Sequence, residues 1–278
     1  MLSYRHAFHA GNFADVIKHV VLVEILQHLG RKAAPYAYID THAGAGMYDL
    51  GSAAAMKLQE HLAGVGKLFP PDWPELELYF SILESFNPTN TLQHYPGSPL
   101  IAHALLREQD RAWLFELHPA DFAALRQNMS REPNIQVRNE DGFQGLLALV
   151  PPPQRRGVVL IDPSYEVKGD YARVGEVLAR AWKKFSTGIY LVWYPVVRRQ
   201  RVVDMENAIA SHAIRNVQRF ELAVAADSAT RGMTAAGLIV VNPPWRLMER
   251  MRKVLPRLAN TLGLDSGAGF KADVLAEE

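Results

Sequence analysis

A chain of 278 residues, 49% of them apolar and 21% charged, can bury a sizeable core. Its formal net charge of +1 makes no case for general nucleic-acid affinity, so any basic surface must be local, and the lack of cysteine excludes disulfides, thiolate metal sites and a cysteine nucleophile. No apolar signal core opens the chain and no run approaches the ~20 apolar residues of a membrane span, so a cytoplasmic protein is expected.

In chain order, Ala14 to Leu29 has apolar residues at three- and four-residue spacing and stops at Gly30, which predicts a helix. A short strand follows at Pro35 to Ile39 and ends at Asp40. Residues 51–95 depart from the alternation: Ala53 to Leu68 and Pro74 to Phe86 read as two helices, a small helical insertion within a single domain of residues 1–278. Strand patterns then recur at Trp113 to Phe115, leading to Glu116, at Ile135 to Val137, leading to Asp141, and at Val158 to Ile161, leading to Asp162. Ile189 to Trp193 is a further strand, while Arg219 to Ala225 and Leu238 to Val241 read as a closing pair. The tail beyond Leu262 is expected to be loosely ordered. Strands alternating with helical stretches indicate βαβ units and a mostly parallel sheet, in which ligands bind beyond the carboxyl ends of the strands. Four strands ending in acids therefore point to a site.

The most informative junction is Asp162-Pro163-Ser164-Tyr165. A carboxylate at a strand end can accept hydrogen bonds from an exocyclic amine, the proline can present its carbonyl, and the ring can stack on a planar base. Enzymes that methylate amino groups on adenine or cytosine use such a loop, written (D/N/S)-P-P-(Y/F/W); here Ser164 replaces the second proline. Asp40-Thr41-His42-Ala43-Gly44-Ala45-Gly46 lets backbone N–H groups approach a ligand, and without a third glycine it favours S-adenosylmethionine (SAM) over a pyrophosphate; an ordinary strand-to-helix turn accounts for the same residues. Glu116 suits the two ribose hydroxyls, and Asp141-Gly142 suits an adenine amine and ring nitrogen, although either acid could equally cap a helix. Tyr4 to Asp15, with Lys18 and His19 behind it, reads either as a solvated helix entry or as a lid over the cofactor. Asn242-Pro243-Pro244-Trp245 fits the written pattern better than Asp162 does, but it follows the last strand, far from the glycine-rich loop, and is set aside.

Together these stretches, with Tyr95 to Ala102, Leu105 to Asp110, Glu116 to Pro119, Trp193 to Val197 and Arg231 to Ala235, resemble the RlmJ (YhiR) family, SAM-dependent adenine-N6 methyltransferases of bacterial 23S ribosomal RNA. The resemblance covers nearly the whole chain. It implies a Rossmann-like α/β methyltransferase with a seven-stranded, mostly parallel sheet, helices on both faces and the 51–95 insertion. It further implies that Lys18, His19, His42, Ser98, Glu116, Asp141, Gly142 and Asp162 contact SAM; on the lid reading of the amino terminus, Lys18 meets the methionyl carboxylate. Asp162 is implied as the catalytic acid, and Tyr4 is placed near the target adenine beside Pro163, Ser164 and Tyr165. The expected partner is protein-free or early-assembly 23S rRNA, met by a monomer that uses no metal. A DNA adenine or protein glutamine methyltransferase, and a non-catalytic nucleic-acid-binding protein, remain alternatives, with Arg155-Arg156, Lys168 and Arg198-Arg199-Arg201 as candidate phosphate contacts.

Overall fold

A computed structural model describes residues 5–89, 91–167, 169–228, 230 and 232–278. Eight strands form one sheet in the order β10-β8-β9-β7-β6-β1-β4-β5: β1 (Ala37–Asp40), β4 (Arg111–Phe115), β5 (Ile135–Arg138), β6 (Gly157–Ile161), β7 (Ile189–Val196), β8 (Val217–Ala223), β9 (Ala235–Val241) and β10 (Gly269–Ala276). The first five run parallel, and β9, β8 and β10 join antiparallel. From β1 the chain moves outward through β4 to β5, then crosses back to β6 on the other flank, so the loops after β1 and β6 diverge at a topological switch point.

The sheet has one strand more than the expected seven, because β10 pairs with β8 where a loose tail was expected. Its apolar alternation, Phe270, Ala272, Val274 and Ala276 against Lys271 and Asp273, is visible in the sequence, and Arg219 clamps Asp273 from β8. Strand β7 also runs past its predicted end, through Pro195. Proline is tolerated there because β6 pairs β7 only up to Val192, so beyond it one edge of β7 requires no ladder donor.

Helix α1 (Phe13–Gly30) is apolar almost all round, as a helix buried on every side must be. It packs against α4 (Glu77–Ser85), α5 (Ser98–His103) and α10 (Leu247–Leu262), while α7 (Gly142–Leu149), α8 (Asp170–Lys184) and α9 (Arg199–Ser211) form a second group, with α6 (Pro119–Asn128) beside β5. Between β1 and β4, a hairpin of β2 (Met47–Asp49) and β3 (His94–Pro96) forms the base from which the helical segment projects. The helix expected over Ala53 to Leu68 is broken: α2 (Ala53–Leu58) and α3 (Glu60–Ala63) meet at Gln59, which sits in the left-handed region at φ 52. The second expected helix begins later than Pro74, with a 3-10 turn over Pro74–Leu76 preceding α4.

Candidate active site

The carboxyl ends of the parallel strands surround a cavity of about 440 Å³. Lys18, His19, His42, Ser98, Glu116, Asp141, Gly142, Asp162, Pro163, Ser164 and Tyr165 all line it, so the residues singled out in the sequence converge on one space. Tyr4 lies outside the described residues.

Helix α1 delivers the charged wall. Asn12 caps it by accepting from the amides of Ala14 and Asp15, which turns Asp15 and Lys18, three residues apart, to the same side. Lys18 Nζ lies 2.9 Å from Asp15 Oδ1 and 2.9 Å from Asp162 Oδ2. Its ammonium, implied above for a methionyl carboxylate, is thus committed to two buried carboxylates, whose fields hold it well above the ordinary lysine range despite burial. Asp15 Oδ2 also receives His6 Nε2 and the Gly11 amide, each at 2.9 Å. His6 and Lys18 hold Asp15 well below the usual carboxylate range against the opposing effect of burial. For Asp162 burial wins: its carboxyl is pushed up to about 6, with Lys18 pulling the other way. Asp162 Oδ1 carries no hydrogen bond among the described residues.

The loop after Asp162 is held tightly. Tyr165 sits at φ 55, a conformation that costs an aromatic residue roughly 1–3 kcal/mol and survives only where its surroundings enforce it. Here they do: its hydroxyl donates to the Trp193 carbonyl at 2.6 Å, and its ring packs 4.4 Å from that of Tyr171. The ring is therefore fixed in place at the cavity wall rather than free to swing onto a base.

The glycine-rich loop is built on Asp40, which is fully buried and accepts from Tyr38 Oη (2.6 Å), Ser98 Oγ (2.7 Å) and the His42 amide (3.2 Å). Asp40 is thus a buttress, and it uses the hydroxyl of Ser98. Glu116 accepts from the amides of Gly44 (2.8 Å) and His118 (2.7 Å), leaving the remaining lone pairs of both oxygens for a diol. Asp141 does cap α7, accepting from Phe143 and Gln144, while its Oδ2 meets Arg173 at 2.7 Å; cap and cavity wall are one residue. Gly142 is obligatory, since a Cβ there would stand 1.8 Å from the Thr41 carbonyl. His42 donates or accepts at Thr41 Oγ1 (2.8 Å), and burial lowers it to about 4.

Sequence reasoning missed Asp15, read only as part of the helix entry or lid, and Trp193, whose buried Nε1 has no hydrogen-bond partner among the described residues. The Asp15–Lys18 spacing could have signalled the first; nothing local signals the second. The candidate phosphate contacts separate. Arg201 lines the cavity, and Arg199 is consumed by Glu221 and Asp227. Arg156 lies at the opposite, amino end of the sheet, where it donates to the Ala34 and Leu29 carbonyls and caps α1. Lys168 lies outside the described residues. Asn242, too, is at that far end, because β9 runs antiparallel; its amide ties down the Ser186 and Gly188 carbonyls.

The family described as "RsmJ: Ribosomal RNA large subunit methyltransferase D, RlmJ" matches residues 33–273. The chain belongs to this family. It is 49% identical over 97% of its length to the ribosomal RNA large subunit methyltransferase J of Escherichia coli strain K12, covering 96% of that protein. It is 47% identical over 94% of its length to the protein of the same name from Haemophilus influenzae, again covering 94% of the relative. A crystal structure of a Legionella pneumophila protein superimposes with a TM-score of 0.89 at 36% identity, covering 96% of this chain and 98% of that one.

Proposed function

We propose that this protein transfers the methyl group of SAM to the exocyclic N6 amine of an unpaired adenine in bacterial 23S rRNA, acting in the cytoplasm as a monomer on protein-free or early-assembly RNA. We also propose that residues 51–95 form an insertion subdomain of its single domain. The observation that carries the reading is Asp162: one carboxylate oxygen is held by Lys18 and the other has no partner among the described residues, at the cavity wall beside Pro163, in a chain whose family is that of rRNA large subunit methyltransferases.

The residues present suit SAM. Gly44 and Gly142 bring the loops after β1 and β5 close together at the cavity wall, Glu116 offers acceptors for a ribose diol, and Asp141, beyond its cap and Arg173, keeps lone pairs for an adenine amine. His42 and Ser98 close the wall between them. Bound SAM would supply an electrophilic methyl group, from which the acceptor amine displaces a neutral thioether. Adenine's amine is a poor nucleophile because its lone pair is delocalised into the ring. Asp162 Oδ1 and the Pro163 carbonyl can each accept one of its hydrogens, which favours a pyramidal nitrogen with a directed lone pair. Positive charge developing on that nitrogen is stabilised by the Asp162 carboxylate, already oriented by Lys18. Asp162, at about 6, is too weak to deprotonate the neutral amine but takes the proton of the methylated ammonium. The base would lie against Tyr165, whose ring needs no further ordering. Extruding the adenine costs a few kcal/mol and is cheapest in loops.

The test is tritiated methyl transfer from SAM to protein-free 23S rRNA lacking its own modification, with Asp162→Ala alongside. Label recovered as N6-methyladenine and lost in the variant is expected. Label on DNA or protein only, or none despite SAM binding, refutes the reading.

A further inference from the structure

We propose that Tyr79 and Tyr95 lock His19 in the tautomer that carries its proton on Nε2, so that a neutral N–H donor faces the carboxylate of the methionyl moiety. The carboxylate half of this inference rests on the SAM reading above; the tautomer half does not.

Three buried side chains from three elements make one chain of contacts. His19 of α1 is fully buried, and its Nδ1 lies 2.8 Å from Tyr95 Oη on β3. Tyr95 Oη in turn lies 3.1 Å from Tyr79 Oη on α4. His19 Nε2 has no hydrogen-bond partner among the described residues. Each hydroxyl has one proton, and a neutral imidazole has one, so only three arrangements exist; in the third, Tyr79 and Nδ1–H both donate to Tyr95, which strands the Tyr95 proton and the Nε2 lone pair together.

In the first, Tyr79 donates to Tyr95, Tyr95 donates to His19 Nδ1, and the imidazole proton resides on Nε2. Every hydroxyl proton is then used, and the Nε2–H is the one group left without a partner. In the second, Nδ1–H donates to Tyr95 and Tyr95 donates to Tyr79. The Tyr79 proton then meets no acceptor, because Tyr95 Oη is the only group to which Tyr79 Oη bonds among the described residues, and the Nε2 lone pair is stranded as well. Buried polar groups are very rarely left unpaired, so one orphan is preferred to two.

The remaining orphan has a use. His19 lines the cavity, and with Nδ1 turned to Tyr95 its Nε2 is the ring's other polar atom. It is a donor and not a cation: burial holds the imidazole far below its usual range, at about 3. An anionic acceptor is the partner that a lone donor of this kind recognises. The nearby ammonium of Lys18 is already shared between Asp15 and Asp162, which leaves His19 to meet an arriving carboxylate. Tyr79 belongs to the helical segment that projects from the β2–β3 hairpin, so that segment reaches the cofactor site through two hydroxyls without lining the space itself. Tyr79 and Tyr95 are positioning residues on this view.

The experiment begins with the ligand-free protein labelled with 15N-histidine. For His19, a protonated Nε2 and a bare, hydrogen-bonded Nδ1 are expected; the opposite tautomer, or an even mixture, overturns the lock. Tyr95→Phe and Tyr79→Phe each remove one oxygen. In Tyr95→Phe the His19 signals should become a tautomer mixture, and the Kd for SAM, measured calorimetrically, should rise about tenfold. Tyr79→Phe should raise it less, by about threefold, and kcat at saturating SAM should stay within about twofold for both. A mixed tautomer with unchanged Kd overturns the link to the cofactor. If wild-type protein binds no SAM, the proposed function and the carboxylate half fail together, while the spectrum still decides the tautomer.

Discussion

Asp162→Asn should remove activity and raise stability, and the gain should depend on pH in a way only this carboxylate can produce. The folded protein holds Asp162 at about 6, against an ordinary value of 3.8. For an acid displaced upward, the neutral form is the one the fold favours. Stability is therefore lost as pH rises between the unfolded and folded values, and the loss is complete above about 6. At about 1.4 kcal/mol per pH unit, the displacement amounts to about 3 kcal/mol at pH 8 and, because titration is then only partial, about half of that at pH 5. Asparagine has the shape of the neutral acid and escapes this cost. Two effects reduce the gain: Lys18 loses one of its two anionic neighbours, and Asp162 is still 13% exposed at the cavity wall, where water softens its desolvation. A net gain of about 1–2 kcal/mol at pH 8, or roughly 2–6 °C in Tm, is the expected outcome. Thermal melts of both proteins at pH 8 and pH 5 decide it. An Asn variant less stable than wild type at pH 8, or a gain that does not shrink at pH 5, would refute the reasoning.

Because ionised Asp162 is the form that stabilises a developing cation, single-turnover methyl transfer should rise with pH through about 6 and then level off; a rate flat down to about pH 5 would remove Asp162 from the step. In Gly142→Ala the new Cβ meets backbone, the Thr41 carbonyl at 1.8 Å, so calorimetry should show SAM affinity reduced at least about tenfold with the fold retained or weakened. Wild-type affinity there would show that the two loops part easily. Ser164→Pro should change kcat by less than about twofold, because the Ser164 amide and hydroxyl make no hydrogen bond among the described residues and Pro163 still supplies the carbonyl. A large rise in rate would mean that serine holds the loop in a poor conformation.

The parallel core of the fold was legible because its strands are short and mostly apolar, as in Gly157 to Ile161, and four of the five lead to an acid. The hairpin of β2 and β3 was not, since three-residue strands carry no periodic signal. The break at Gln59 was hidden because glutamine is a good helix former and only tertiary context places it at φ 52. At the site, strand-end position identified Glu116, Asp141 and Asp162, but it could not say what each acid does. Asp40 shares their pattern and is a buried buttress; Asp141 is both cap and wall. Those distinctions depend on partners distant in sequence, such as Tyr38 with Ser98 and Arg173, and pattern reading does not see them.

On the proposed function, the charges around Asp162 explain why a lysine stands where a cationic cofactor would also come. Asp15 and Asp162 contribute two negative charges and Lys18 one positive, so these three groups, His6 on the far oxygen of Asp15 aside, carry about one net negative charge at the cavity. Without Lys18, two carboxylates would share a buried pocket, and mutual repulsion would push Asp162 well above about 6, neutral at working pH and unable to stabilise a cation. With a lysine and no Asp15, the cation would cancel Asp162 and repel the donor. On the proposed reaction, positive charge migrates from the donor's sulfur to the acceptor nitrogen, which is the end of the path nearest Asp162. A single net negative charge placed there favours the cation more at the end of the transfer than at the start, which is the differential stabilisation that lowers a barrier instead of merely tightening binding. On the proposed reaction Asp15, which shares the Lys18 ammonium with Asp162, is therefore as much a requirement of the site as the acid at the strand end.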